Sequence, residues 1–114
     1  MERARVITAA MGGGSGHKPR PVLVVQASDF ESDDTLVVVP FTSGQSSDLT
    51  TIPVFRPDGV NGLLEASSLM THRISAVRKS DVGTIIGKLS PDDMERVDLA
   101  LALVLGLQTI STPR

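Results

Sequence analysis

At 114 residues, 40% of them apolar and with a formal net charge of −2, the chain is sized for a single domain over 1–114 and has no global attraction for nucleic acid. The absence of cysteine excludes a disulfide framework and any thiolate metal site, and only two histidines, His17 and His72, argue against a zinc centre, so no metal and no other cofactor is expected. No apolar run approaches the roughly 20 residues of a membrane span, and the opening MERARVITAA lacks the pattern of a signal peptide; a cytoplasmic protein with no membrane partner is the expectation.

In chain order, Val6-Ile7-Thr8-Ala9 is a short β-prone segment, followed by the loop Gly12-Gly13-Gly14-Ser15-Gly16. Val22-Leu23-Val24-Val25 and Leu36-Val37-Val38-Val39 are short, near-continuous apolar runs, the pattern of strands buried on both faces. Residues 28–34 between them are turn-rich. Residues 52–55 form a weaker strand, which Pro53 confines to an edge or a bulge. Pro57-Asp58-Gly59 and Asn61-Gly62 are turn signals. Residues 68–77 alternate loosely and read as one more strand. Short strands and turns in this order predict a strongly curved sheet or small barrel.

The C-terminal part is helical. Ser90 caps, Pro91 supplies the φ of a first helical turn, and Asp92 and Asp93 face the positive end of the dipole. Met94, Val97, Leu101 and Val104 form one stripe; Leu99, Ala100, Leu103 and Leu107 form a second beside it. A helix apolar on two sides is buried on both, and in so small a chain the second side suits a subunit interface. Gly106 falls where the helix would end, and Pro113 rules out a long continuation.

Chemistry is sparse. The glycine loop invites a phosphate-loop reading, but the G-x-x-x-x-G-K spacing is absent and Pro19 follows Lys18. There is no G-x-S-x-G and no H-E-x-x-H. Lys18-Pro19-Arg20-Pro21 is more informative, because an arginine between two prolines has its backbone direction largely set. It reads either as a surface arginine at a strand start or as a preorganised phosphate clamp, whose guanidinium matches phosphate oxygens in pairs. Thr42-Ser43-Gly44 ends the third strand, either as an ordinary terminus or as hydroxyls held towards a phosphate. His72-Arg73 falls inside the strand expected at 68–77, with one side chain outward and its neighbour half-buried; a histidine there could move a proton. Basic residues gather at His17-Lys18-Pro19-Arg20 and at His72-Arg73 with Arg78-Lys79, away from the acidic groups at 29–34 and 92–98. With three Phe as the only aromatics, extensive base stacking is not expected.

Taken in series, these segments resemble the MazF/PemK toxins. Arg3-Ala4-Arg5-Val6-Ile7 and Lys18-Pro19-Arg20-Pro21-Val22-Leu23-Val24-Val25-Gln26 look like that family's opening strands. Leu36-Val37-Val38-Val39-Pro40-Phe41-Thr42-Ser43 looks like its third. Ser68 through Val77 occupies the place of its fifth-strand motif, and Ile86-Gly87-Lys88-Leu89-Ser90-Pro91-Asp92-Asp93-Met94 leads into its C-terminal helix. The resemblance implies a mainly β fold with a C-terminal helix, a small SH3-like (CcdB/MazF-type) barrel of five to seven strands, assembled as a homodimer. It implies the toxin of a toxin–antitoxin pair: a metal-independent, sequence-selective endoribonuclease that cuts single-stranded RNA to 2′,3′-cyclic phosphate and 5′-hydroxyl ends. A cognate antitoxin would occupy the same groove. Arg20 matches the family's phosphate-contacting arginine and Thr42 the hydroxyl beside it; His17, Lys18, Ser43 and Arg73 are the expected RNA contacts. Two departures stand out. Gly16-His17-Lys18 replaces the Glu-Gln of several members, and His72 stands where many carry a carboxylate. His72 is therefore the expected acid or base, with His17 as a second candidate.

Two other readings use the same residues. A CcdB-like inhibitor of DNA gyrase would share the fold and perform no chemistry; the acidic balance and missing carboxylates favour it, whereas the Lys18–Pro21 and Thr42–Ser43 motifs favour the nuclease. A peptide-binding SH3-like module is disfavoured by the shortage of aromatics.

Overall fold

The computed structural model describes residues 1–11, 18–32, 34–44 and 48–108. The glycine loop, His17 and Pro113 lie outside the described residues. Among the described residues, seven strands are followed by one α-helix: β1 (Arg5–Ala9), β2 (Arg20–Val24), β3 (Thr35–Ser43), β4 (Val54–Phe55), β5 (Ser67–Leu69), β6 (Ser75–Arg78), β7 (Val82–Lys88) and α1 (Pro91–Val104). The ladder runs β4-β5-β3-β2-β1-β7, with β6 also on β3. All the recorded strand pairs are antiparallel. Among the described residues the sheet is an open, barrel-like path rather than a closed ring.

Alternation sorts the apolar residues onto two faces. Val6, Leu23, Val25, Val39 and Phe41 point to a larger cluster that includes Met94, Val97 and Leu101 of α1. Ile7, Ala9, Val22, Val24, Leu36 and Val38 point to the other, smaller cluster with Val77. With both faces covered, the strands had to read as continuous runs rather than as alternating ones. Pro53 limits β4 to two residues at the end of the ladder, where a missing N–H costs no inner pairing.

The segment expected as one strand over 68–77 is instead two. Both β5 and β6 lie against β3, but in different registers: Phe41 pairs with Leu69, and Val38 with Ser75. The partner segment advances six residues while β3 advances three, so Thr71–Arg73 is an insertion, folded as a 3-10 turn. Thr71 is buried and its hydroxyl donates to the Thr51 carbonyl, which fixes the turn to the loop ahead of β4. His72 and Arg73 therefore sit on a turn, not in a strand, and both are exposed.

β7 had no legible signal. It is an edge strand with a mostly exposed pattern and two glycines, so neither alternation nor an apolar run marks it. Its pairing to β1 is irregular, and the Thr8 hydroxyl accepts from the Thr84 amide at 2.9 Å beside the irregularity. The helix begins as the sequence dictates: Ser90 Oγ accepts from the Asp93 amide at 3.1 Å, Pro91 opens the first turn, and Asp92 and Asp93 lie in it. Gly106, with φ +73°, takes the left-handed conformation that ends helices. Of the first stripe, Met94, Val97 and Leu101 are buried. Of the second, Ala100 is buried, while Leu99 and Leu107 remain exposed.

Candidate functional site

Arg20 opens β2 opposite Ala9 of β1. On the other side, Val22 pairs with Pro40 of β3, and that register continued by two residues brings Arg20 level with Thr42. Directly opposed residues share a face, and Arg20 and Thr42 both fall on the face of Val22, Val24 and Val38. This is the face away from α1. Thr42 in turn pairs with Ser68, and Ser43 with Ser67. The strand end is held rigidly: the Gly44 amide donates to the Ala66 carbonyl at 3.0 Å, and the Ser68 hydroxyl donates to the Gly44 carbonyl at 3.1 Å. Arg20, Thr42 and Ser43 are exposed at the rim of this support, as is Lys18. Alternation turns Ser43 to the Phe41 face, opposite to Thr42.

His72 and Arg73 lie on the other flank of β3, on the turn that packs against α1. The Met70 amide donates to the Pro40 carbonyl at 2.9 Å just before this turn, and the Ser75 hydroxyl closes it on the Arg73 carbonyl at 2.7 Å. Among the described residues no hydrogen bond or ion pair joins His72 to Arg20 or Thr42.

Charge is divided between the faces. The exposed side of α1 carries Asp92, Glu95 and Asp98 and repels a polyanion. Several cations are held by partners: Arg3 by Asp98, Arg5 by Glu2 at 2.8 Å, Arg78 by Asp81 at 3.3 Å and Arg96 by Asp48 at 3.3 Å. Lys79 donates to the Ser32 carbonyl at 2.6 Å and lies 3.8 Å from Glu31. The Arg78-Lys79 pair is thus tied down. Lys18, Arg20, Arg56 and Arg73 are exposed and form no ion pair among the described residues.

Arg56 was not singled out by the sequence, although it precedes Pro57 as Arg20 precedes Pro21. It follows β4, whose Val54 pairs with Ser68. The Arg56 carbonyl accepts from Asn61 Nδ2 at 2.8 Å. Asn61 is buried, and its Oδ1 accepts from the Leu63 amide at 3.0 Å. Asp58 accepts from the Val60 and Asn61 amides at 2.8 Å each. Those two bonds, that of Val60 first, hold its carboxyl below the ordinary range.

Residues 2–105 match the family described as PemK-like, MazF-like toxin of type II toxin–antitoxin system. The chain belongs to the PemK/MazF toxin family. A probable endoribonuclease MazF of Mycolicibacterium smegmatis is 37% identical to this PemK/MazF toxin over 111 residues, covering 94% of the chain and 98% of the relative. The endoribonuclease MazF6 of Mycobacterium tuberculosis is 29% identical over 112 residues, with the same coverage of both chains. Among solved structures, a mycobacterial endoribonuclease in complex with its cognate antitoxin superposes with a TM-score of 0.78 at 22% identity, over 96% of the toxin and 99% of that chain. The Mycobacterium tuberculosis toxin MazF-mt6 gives 0.73 at 22% identity, over 92% and 99%. These superpositions establish the MazF-type fold.

Proposed function

We propose that this toxin, an endoribonuclease of the PemK/MazF family, cuts single-stranded RNA at the sheet end carrying Arg20 and Thr42. The observation that carries the reading is the register that brings these two side chains level on the face opposite the acidic helix. In the proposed reaction the ribose 2′-oxygen attacks the adjacent phosphorus and loses its proton to a base. The bond from phosphorus to the 5′-oxygen then breaks, and that oxygen takes up a proton. The products carry a 2′,3′-cyclic phosphate and a 5′-hydroxyl, and no metal is required. Arg20 neutralises charge developing on the phosphorane, and the Thr42 hydroxyl donates to a non-bridging oxygen. His72 handles a proton from its turn on the far flank of β3, while Lys18 and Arg73 hold flanking phosphates. His17 is a secondary contact, whereas Ser43, turned to the face opposite Thr42, reaches RNA only where the strand wraps past the end of β3. Selectivity for sequence follows from base contacts along the same groove.

The chain acts as one toxin domain in a homodimer, for which the exposed Leu99, Leu105 and Leu107 supply an apolar surface. A cognate antitoxin covers the RNA groove, in keeping with the antitoxin-bound solved relative. No helix among the described residues is long and apolar enough to cross a membrane, and a cytoplasmic location fits an RNA target. The endoribonuclease relatives favour this reading over a gyrase-directed one.

The test is incubation of the purified protein with a long unstructured RNA in EDTA, beside Arg20→Ala, followed by analysis of product ends. Discrete cuts with cyclic phosphate ends, lost in the variant, are expected. Uncut RNA across several substrates, or cutting equal in the variant, would overturn the assignment.

A further inference from the structure

Beyond the site just described, and resting on that reading of it, we propose that Arg56 is a second phosphate clamp, gripping the RNA backbone next to the scissile phosphate. Three observations converge on it. The first is register. Thr42 pairs with Ser68, and Ser68 with Val54, so these three side chains share a face, the one on which Arg20 also falls. Arg56 is two residues beyond Val54 and precedes Pro57. A residue before proline is restricted to extended backbone, which keeps its side chain on the face of Val54. With strands about 4.8 Å apart and a rise of about 3.4 Å per residue, the Arg56 Cα lies on the order of 12 Å from that of Thr42. That separation suits contacts to neighbouring phosphates.

The second observation is rigidity. The loop that Arg56 begins is tied by buried Asn61 to the Arg56 carbonyl and by Asp58 to two amides. Its far side is pressed against β7, where a Cβ on Gly87 would stand 2.3 Å from the Asn61 carbonyl carbon and one on Gly62 2.3 Å from the Ile86 carbonyl oxygen. The backbone beneath a cation on such a loop is already ordered, so binding adds only the cost of fixing the side chain. The third is charge. The nearest carboxylate in sequence, Asp58, is engaged by the Val60 and Asn61 amides, and Arg56 forms no ion pair among the described residues. Arg20 and Arg56, each followed by proline, thus bracket the hydroxyl-bearing end of β3.

The experiment compares wild type, Arg56→Ala, Arg56→Lys and Arg20→Ala on an RNA carrying the mapped cut site. Cleavage kinetics are read on this RNA, and binding at several salt concentrations on its uncleavable 2′-deoxy version. Arg56→Ala should raise KM by about five- to tenfold with kcat nearly unchanged, and flatten the slope of log affinity against log salt by about 0.7, one phosphate contact on a single strand. Arg56→Lys should restore most of the slope, and thermal unfolding should not move. Removing nucleotides from one side of the cut, but not from the other, should abolish the difference between wild type and Arg56→Ala. Arg20→Ala should instead lower kcat. Equal KM and salt slope in wild type and Arg56→Ala, with wild type cutting normally, would overturn the Arg56 assignment alone. A wild type that neither binds nor cuts RNA would overturn the functional reading and this proposal with it.

Discussion

Gly87 of β7 lies so close to Asn61 that a Cβ built on it would stand 2.3 Å from the Asn61 carbonyl carbon and 2.4 Å from the Val60 oxygen. Both obstacles are backbone, and the same approach lets the Lys88 amide donate to the Val60 carbonyl at 3.1 Å. Gly87→Ala must therefore push the loop 56–63 off β7. We expect a loss of about 1–3 kcal/mol in urea unfolding, the usual range for overpacking a tight contact, together with weaker RNA binding. A stability equal to wild type would mean that this approach is not close in solution.

Asp58 makes the same loop sensitive to acid. Amide donors lower its pKa in the folded state, so the carboxylate's contribution is fully present above its unfolded value near 3.8 and is lost as pH falls through the lower folded value. Asp58→Ala should be less stable than wild type at neutral pH, and the gap should close in acid. Unfolding midpoints measured across pH check this, and a gap independent of pH would remove the carboxylate from the account.

Arg20 and His72 should fail differently. Arg20→Ala should lower kcat by about 10²–10³-fold, the typical loss when one preorganised donor to a developing oxyanion is removed. His72→Ala should lower it by about 10²–10⁴-fold, as for a general acid or base. Both side chains are exposed, so unfolding midpoints should hardly change. Full activity in His72→Ala would show that the proton moves through another group.

Ser90→Ala separates folding from function. The lost cap, a 3.1 Å bond to the Asp93 amide, should cost about 1 kcal/mol. RNA cleavage should be unchanged at temperatures where the protein stays folded, because Ser90 makes no hydrogen bond to Arg20, Thr42 or the Thr71–Arg73 turn among the described residues. A selective loss of cleavage would place the helix start in the active groove.

The boundary between what was legible and what was not follows the range of the interactions. The runs at 22–25 and 36–39, the turns at Pro57-Asp58-Gly59 and Asn61-Gly62, the Pro53 edge and the capped helix at Ser90 rest on local chemistry: side-chain burial, allowed φ and nearest-neighbour hydrogen bonds. The order of elements, and the placing of the Arg20-Pro21 dipeptide at the start of a strand, could be read for the same reason. Tertiary structure alone decided that Thr71–Arg73 leaves the ladder, since an insertion is defined only against the register of the strand it faces, and local alternation runs straight through it. It alone revealed β7, an edge strand paired on one side and carrying no burial pattern. The Arg56-Pro57 dipeptide was as visible as Arg20-Pro21. Only the pairing of Val54 with Ser68, and of Ser68 with Thr42, put it at the same end of the sheet, because proximity across three strands is a property of hydrogen-bonded register and not of the chain.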